Sequence, residues 1–88
     1  MIATEEQAAP AQQVPPAYKR WMDAELAARQ SEDRLHHQWV GFFFDGRQPP
    51  SSDDQRKAAV LRSLAHVALS EARVEREALK MAAARLGR

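Results

Sequence analysis

Eighty-eight residues with 13 basic side chains, 12 acidic ones and no cysteine make one small domain, too short for a large core and without a disulfide staple, a thiolate zinc site or a thiol nucleophile. The net charge of +1 supplies no bulk field for nucleic acid or anionic lipid, so any such binding has to be local. The apolar run Val40 to Phe44, which contains Gly41 and adjoins Trp39, falls far short of the ~20 residues a membrane-spanning helix needs. The first residues lack the basic start and apolar stretch of a secretory signal, so a soluble, cytoplasmic protein with no membrane partner is expected.

Residues 1–16 hold Pro10, Pro15 and Pro16 and few large apolar side chains, and a flexible arm is expected there. Thr4 and Gln7 have capping-box spacing, but a lone turn without packing does not repay helix nucleation. Pro15 and Pro16 suit a helix entry, where a missing N–H is harmless, and helix-compatible residues then run over about 17–44. Trp21, Ala28, Leu35 and Phe42 recur at every seventh position, with Ala24 and Trp39 beside them, which makes one packing stripe. Met22, Leu26, Val40 and Phe44 form a thinner line on another flank, asking for contact with a further neighbour.

Residues 45–52, Asp-Gly-Arg-Gln-Pro-Pro-Ser-Ser, end that helix, because glycine and two prolines cannot continue it. Ser52 with Gln55 has capping-box spacing, and Asp53 and Asp54 place negative charge where a helix dipole favours it. A second helix is expected over about 53–86, with no Gly or Pro before Gly87. Val60, Leu61, Leu64, Val67, Ala68, Val74, Ala78, Leu79, Ala82 and Leu86 give it an apolar face wider than the seam of a two-stranded coil.

The fold class expected is all-α: two long helices in an antiparallel hairpin, with two hairpins dimerising into a four-helix bundle because each helix carries more apolar width than one contact uses. Ala24, Ala28, Ala65, Ala68 and Ala72 would let the backbones come close. A turn centred on Gln48 and Pro49 would pair positions whose numbers sum to about 97, setting Trp39 near Ala58 and Tyr18 near Leu79.

Three groups could carry function. Trp39, Phe42, Phe43, Phe44 and Arg47 crowd the turn. Three successive Phe rings on a helix point in three directions, so one hairpin core cannot bury them all, and aromatic and Arg side chains are the usual anchors of protein interfaces. The plainer alternative has Trp39 and Phe42 filling the hairpin while Phe43 and Phe44 close a homodimer. Arg62, Arg73, Arg76 and Lys80 form a basic ridge that could track phosphates, although Glu77 beside them fits an ordinary solvated face. Glu71 and Glu75 interrupt the apolar face of the second helix and need counter-charges, for which Arg29 is the nearest cation by the expected register.

No nucleophile stands beside a base, no glycine-rich phosphate loop is present, and no helix carries the Glu-x-x-His of a carboxylate-bridged metal site. Neither catalytic residues, nor metal ligands, nor a cofactor are expected. The function expected is that of a small non-enzymatic interaction protein that covers a macromolecular protein partner, of the kind phages and mobile elements use to inhibit host machinery. The alternatives are a nucleic-acid-binding regulator acting through the basic ridge, and a structural or assembly subunit.

Overall fold

The computed structural model describes residues 14–87. The expected arm therefore lies outside the described residues as far as position 13, as does the Thr4 and Gln7 turn. Two helices make up the described chain, α1 over Pro16–Asp45 and α2 over Ser52–Leu86, and they pack along one another. Gln38 meets Asp54 near the turn, and the N–H groups of Ala17 and Tyr18 meet Glu75 at the far end, so the helices run antiparallel. Neither helix is long and apolar enough to cross a membrane.

The turn departs from the symmetric loop that the sequence suggests. Gly46 adopts the left-handed conformation at φ 70°, and Arg47 N–H folds back onto Gly41 O at 3.1 Å. That conformation suits a glycine, because a side chain there crowds the following carbonyl. Reversal thus happens at the very end of α1, and the next residues run back to bury Pro50. As a result α2 enters beside α1 about five residues out of step with the expected pairing: Gln38 partners Asp54, and Arg20 partners Glu71. The N-cap of α2 also shifts by one. Ser51, extended at ψ 158°, accepts from Asp54 N–H at 3.0 Å, so the cap is Ser51 and not Ser52. Gln55 donates its side-chain N–H to Pro50 O at 3.1 Å, leaving the expected Ser52 and Gln55 box unformed.

Small side chains fill the seam between the helices. Ala17, Ala28 and Ser31 of α1 and Ala58, Ala65 and Ala68 of α2 are buried, with Ala28 and Ala65 at 0% and 1% exposure, and Gly41 is buried as well. Alanine at these positions lets the backbones approach closely, as the sequence pattern requires. The consequence is energetic: among the described residues no large side chain is fully buried. A buried Val, Leu or Phe contributes roughly 1.5–3 kcal/mol and a methyl group far less, so this seam holds the helices at short distance while harvesting little hydrophobic free energy.

A candidate partner-binding surface

At the turn, the last two helical turns of α1 carry the aromatic run. Trp39, Phe42 and Phe43 form a ring cluster: Phe42 meets Phe43 edge-on at 5.1 Å between centroids, and Trp39 lies 5.9 Å from Phe42 and 6.0 Å from Phe43. The two edge-on contacts of Phe42, with Trp39 and with Phe43, place the positive edge of one ring on the negative face of the other, while Trp39 and Phe43 meet tilted at 34°. The cluster leaves Phe43 70% exposed, and Phe44, on the far side of the helix, is 81% exposed. Trp39 is half-buried and Phe42 lies between these extremes. Arg47 is exposed, and its aliphatic stem lies over Gly41: a Cβ on that glycine would stand 3.0 Å from Arg47 Cδ. Stem packing of this kind holds an arginine in place while its guanidinium faces water.

Midway along the hairpin lies an ion network that the sequence does not announce. Arg62 of α2 forks onto Glu32 of α1, Nε to Oε2 at 2.9 Å and Nη2 to Oε1 at 2.7 Å, and gives its third donor, Nη1, to Glu25 Oε1 at 2.7 Å. Arg29 closes the far side of Glu25 at 2.8 Å. The Arg62 hydrogen bonds hold the Glu25 and Glu32 carboxyls below the ordinary glutamate range, with Arg29 adding to the effect on Glu25. The same two carboxylates raise the Arg62 guanidinium. Arg62 is thereby withdrawn from the basic ridge, where it had been grouped with Arg73, Arg76 and Lys80. Arg76 and Lys80 both lean on Glu77, at 3.0 Å and 3.6 Å, while Arg73 is exposed and has no salt-bridge partner among the described residues.

The acidic pair on α2 separates into two roles. Arg29 is bound to Glu25 instead of Glu71, because the shifted register sets Arg20 across from Glu71, at 3.9 Å. Glu75 serves the backbone. Its Oε2 accepts from Ala17 N–H and its Oε1 from Tyr18 N–H, both at 3.1 Å. The N-terminus of α1 has Pro15 at the cap, no side-chain cap of its own and no acid in its first turn. Glu75 therefore supplies from α2 both the acceptor and the negative charge that a helix start requires. The signal was present in two places, an uncapped Pro-Pro entry and a carboxylate on an apolar face, but only the fold joins them.

Two open grooves flank Tyr18 and Trp21 at this end. One, of about 360 Å³, is lined by Tyr18, Trp21, Leu69, Arg73 and Leu79; the other, of about 380 Å³, by Tyr18, Trp21, Met22, Glu25 and Leu26. His36, His37 and His66 are exposed, and His37 Nδ1 donates to Asp33 O at 2.9 Å. Among the described residues no three His, Asp or Glu side chains gather as metal ligands. Comparison of the chain with protein-family models, curated proteins and solved structures finds no match.

Proposed function

We propose that this chain is a non-enzymatic interaction protein that covers a protein partner, with hairpins paired as a four-helix bundle and the aromatic turn of α1 as the anchor. One observation carries the proposal: the hairpin fully buries no large side chain among the described residues, while Phe43 and Phe44 stand exposed beside Arg47 at its tip. Exposed aromatic rings flanked by a guanidinium are the residue set that supplies most binding energy at protein interfaces. An exposed apolar surface on this scale in a chain this small favours a partner that removes it from water. Blocking the surface it covers is the simplest action of such a protein, which makes an inhibitor the specific form of the proposal. Its setting is the cytoplasm, in keeping with a chain free of cysteine. Nucleic-acid binding draws less support, since three of the four ridge cations are engaged by Glu25, Glu32 and Glu77.

The test compares the full chain with a Phe43→Ser/Phe44→Ser variant as bait in a cell lysate, with and without nuclease. Proteins retained by the full chain, lost from the variant and indifferent to nuclease are expected. Capture that disappears with nuclease, or that is equal for both baits, overturns the proposal. Far-UV circular dichroism of the variant should stay helical, since Phe43 and Phe44 lie outside the interhelical seam.

A further inference from the structure

The broad apolar face of α2 resolves into two ladders once the packing is known. The inner one runs Ala58, Leu61, Ala65, Ala68, Ala72, Glu75 and Leu79, and its buried members face α1. The outer one runs Val60, Leu64, Val67, Glu71, Val74, Ala78 and Met81. It repeats the same alternation of four and three residues, about 100° further round the helix. Val60, Leu64, Val67, Val74 and Met81 are all exposed, from 51% at Val60 to 71% at Val74. Alternating four-three spacing sustained for three heptads is the knob row of a helix that packs against another helix, and among the described residues no helix covers it.

We infer that the outer ladder is the surface through which a second copy of this chain docks, helix α2 against helix α2, antiparallel about a two-fold axis near Ser70. This builds on the paired hairpins proposed above and names the face that pairs them. Three observations select a second copy and its direction. The first is self-complementarity. An antiparallel overlay sets Leu64 across from Val74 of the second copy and Val60 across from Ala78, so apolar rungs meet apolar rungs in both layers. The same overlay brings Met81 of the second copy to Lys57, at the mouth of a trough of about 270 Å³ lined by Ala27, Ser31, Arg34, Lys57 and Leu61.

The second observation is charge. Glu71 is the one polar rung, and Arg20 of its own hairpin stands 3.9 Å away as a counter-charge. In the antiparallel overlay each Glu71 falls beside Val67 of the other copy, staggered from its twin. A parallel pair would place the two carboxylates in one layer, facing each other. The third is area: five large side chains from each copy, each half exposed or more, bring the surface removed from water to the order of the 1,000 Å² that a specific interface needs. The arrangement has a functional consequence. It carries the two aromatic tips to opposite ends of one four-helix unit, so each dimer presents two partner-binding ends facing away from each other.

The native chain has no cysteine, which makes disulfide trapping direct. Ser70→Cys lies on the proposed axis and should form a covalent dimer under mild oxidation. Ser63→Cys, one heptad away, should not, because its counterpart across the antiparallel interface is Glu77. Sedimentation equilibrium of the unmodified chain should give twice the chain mass. A Val67→Asp/Val74→Asp variant should give the mass of one chain, and Phe43→Ser/Phe44→Ser should remain a dimer. A monomer at all concentrations, trapping at Ser63→Cys, failure at Ser70→Cys, or a dimer that survives Val67→Asp/Val74→Asp each overturns the inference. Should the aspartate variant unfold, trapping at Ser70→Cys on the otherwise native surface decides. Loss of partner capture from an intact dimer would bear on the aromatic anchor alone, and loss of the dimer on the ladder alone.

Discussion

The two ladders of α2 have the same spacing and opposite fates. The inner one is built largely of alanine, and its Ala58, Ala65 and Ala68 are buried against α1; the outer one is built largely of valine, leucine and methionine and is exposed. Periodicity alone does not distinguish them, and side-chain size does. Small rungs let two backbones approach until nothing else fits between them, whereas large rungs hold more hydrophobic free energy and commit it to whatever arrives later. The hairpin therefore has a close seam of small side chains within and an open apolar face without, and under the proposed pairing its stability should rise with protein concentration.

The comparison breaks first at the inner ladder. Ala65→Leu forces a large side chain into a position 1% exposed and should destabilise the chain by roughly 1–3 kcal/mol as the helices are driven apart. Leu64→Ala, its neighbour on the outer ladder, should leave the hairpin itself unchanged and weaken only association. Chemical denaturation at several protein concentrations separates the two, and equal effects would erase the distinction between the ladders.

Removing the carboxylate that caps α1 from across the seam comes next. Glu75→Ala should cost about 0.5–2 kcal/mol, the range of a lost helix cap, and Glu75→Gln less, because the amide oxygen still accepts one hydrogen bond. Hydrogen exchange should show the loss in the first turn of α1 before it appears elsewhere. At the turn, Gly46→Ala should cost about 1–2 kcal/mol. A Cβ there meets nothing within 4 Å, so the whole effect is the left-handed backbone. A neutral result would remove Gly46 as the cause of the shifted register.

The smallest effect sharpens the comparison on its polar side. Glu25 and Glu32 titrate below the usual glutamate value of 4.5 because Arg62 hydrogen-bonds both. Their folded pKa values lie under their unfolded ones, so the stability they add is complete above pH 4.5 and is lost as pH falls through the folded values. Thermal midpoints followed downward from pH 6 should decline below that point. In Glu25→Gln/Glu32→Gln the decline should be shallower, and an identical acid slope in both chains would detach the network from stability.

Element type was legible along the described chain. Heptad recurrence of Trp21, Ala28, Leu35 and Phe42, the break carrying Gly46, Pro49 and Pro50, and the long Ala-rich second half reveal two helices, because such local patterns depend on neighbours three and four residues away, and the shortness of the break makes them antiparallel. The aromatic crowding at the turn was legible as composition, while the centroid spacings and the unequal exposure of Phe42, Phe43 and Phe44 follow from the packed turn. Register was the hidden quantity. It hinges on which residue reverses the chain, and once Gly46 does so every cross-helix pair moves: Arg62 reaches Glu25 and Glu32, Arg20 reaches Glu71, and Glu75 reaches the backbone of Ala17 and Tyr18.

The amino-acid order by itself determined that two amphipathic rods form and that they own more apolar circumference than they can share, since both follow from side-chain period and size. Only the tertiary structure decided which rungs meet and which carboxylate answers which cation. It also decided which ladder is left to face outward. Those outcomes depend on one turn whose geometry couples residues up to 58 positions apart.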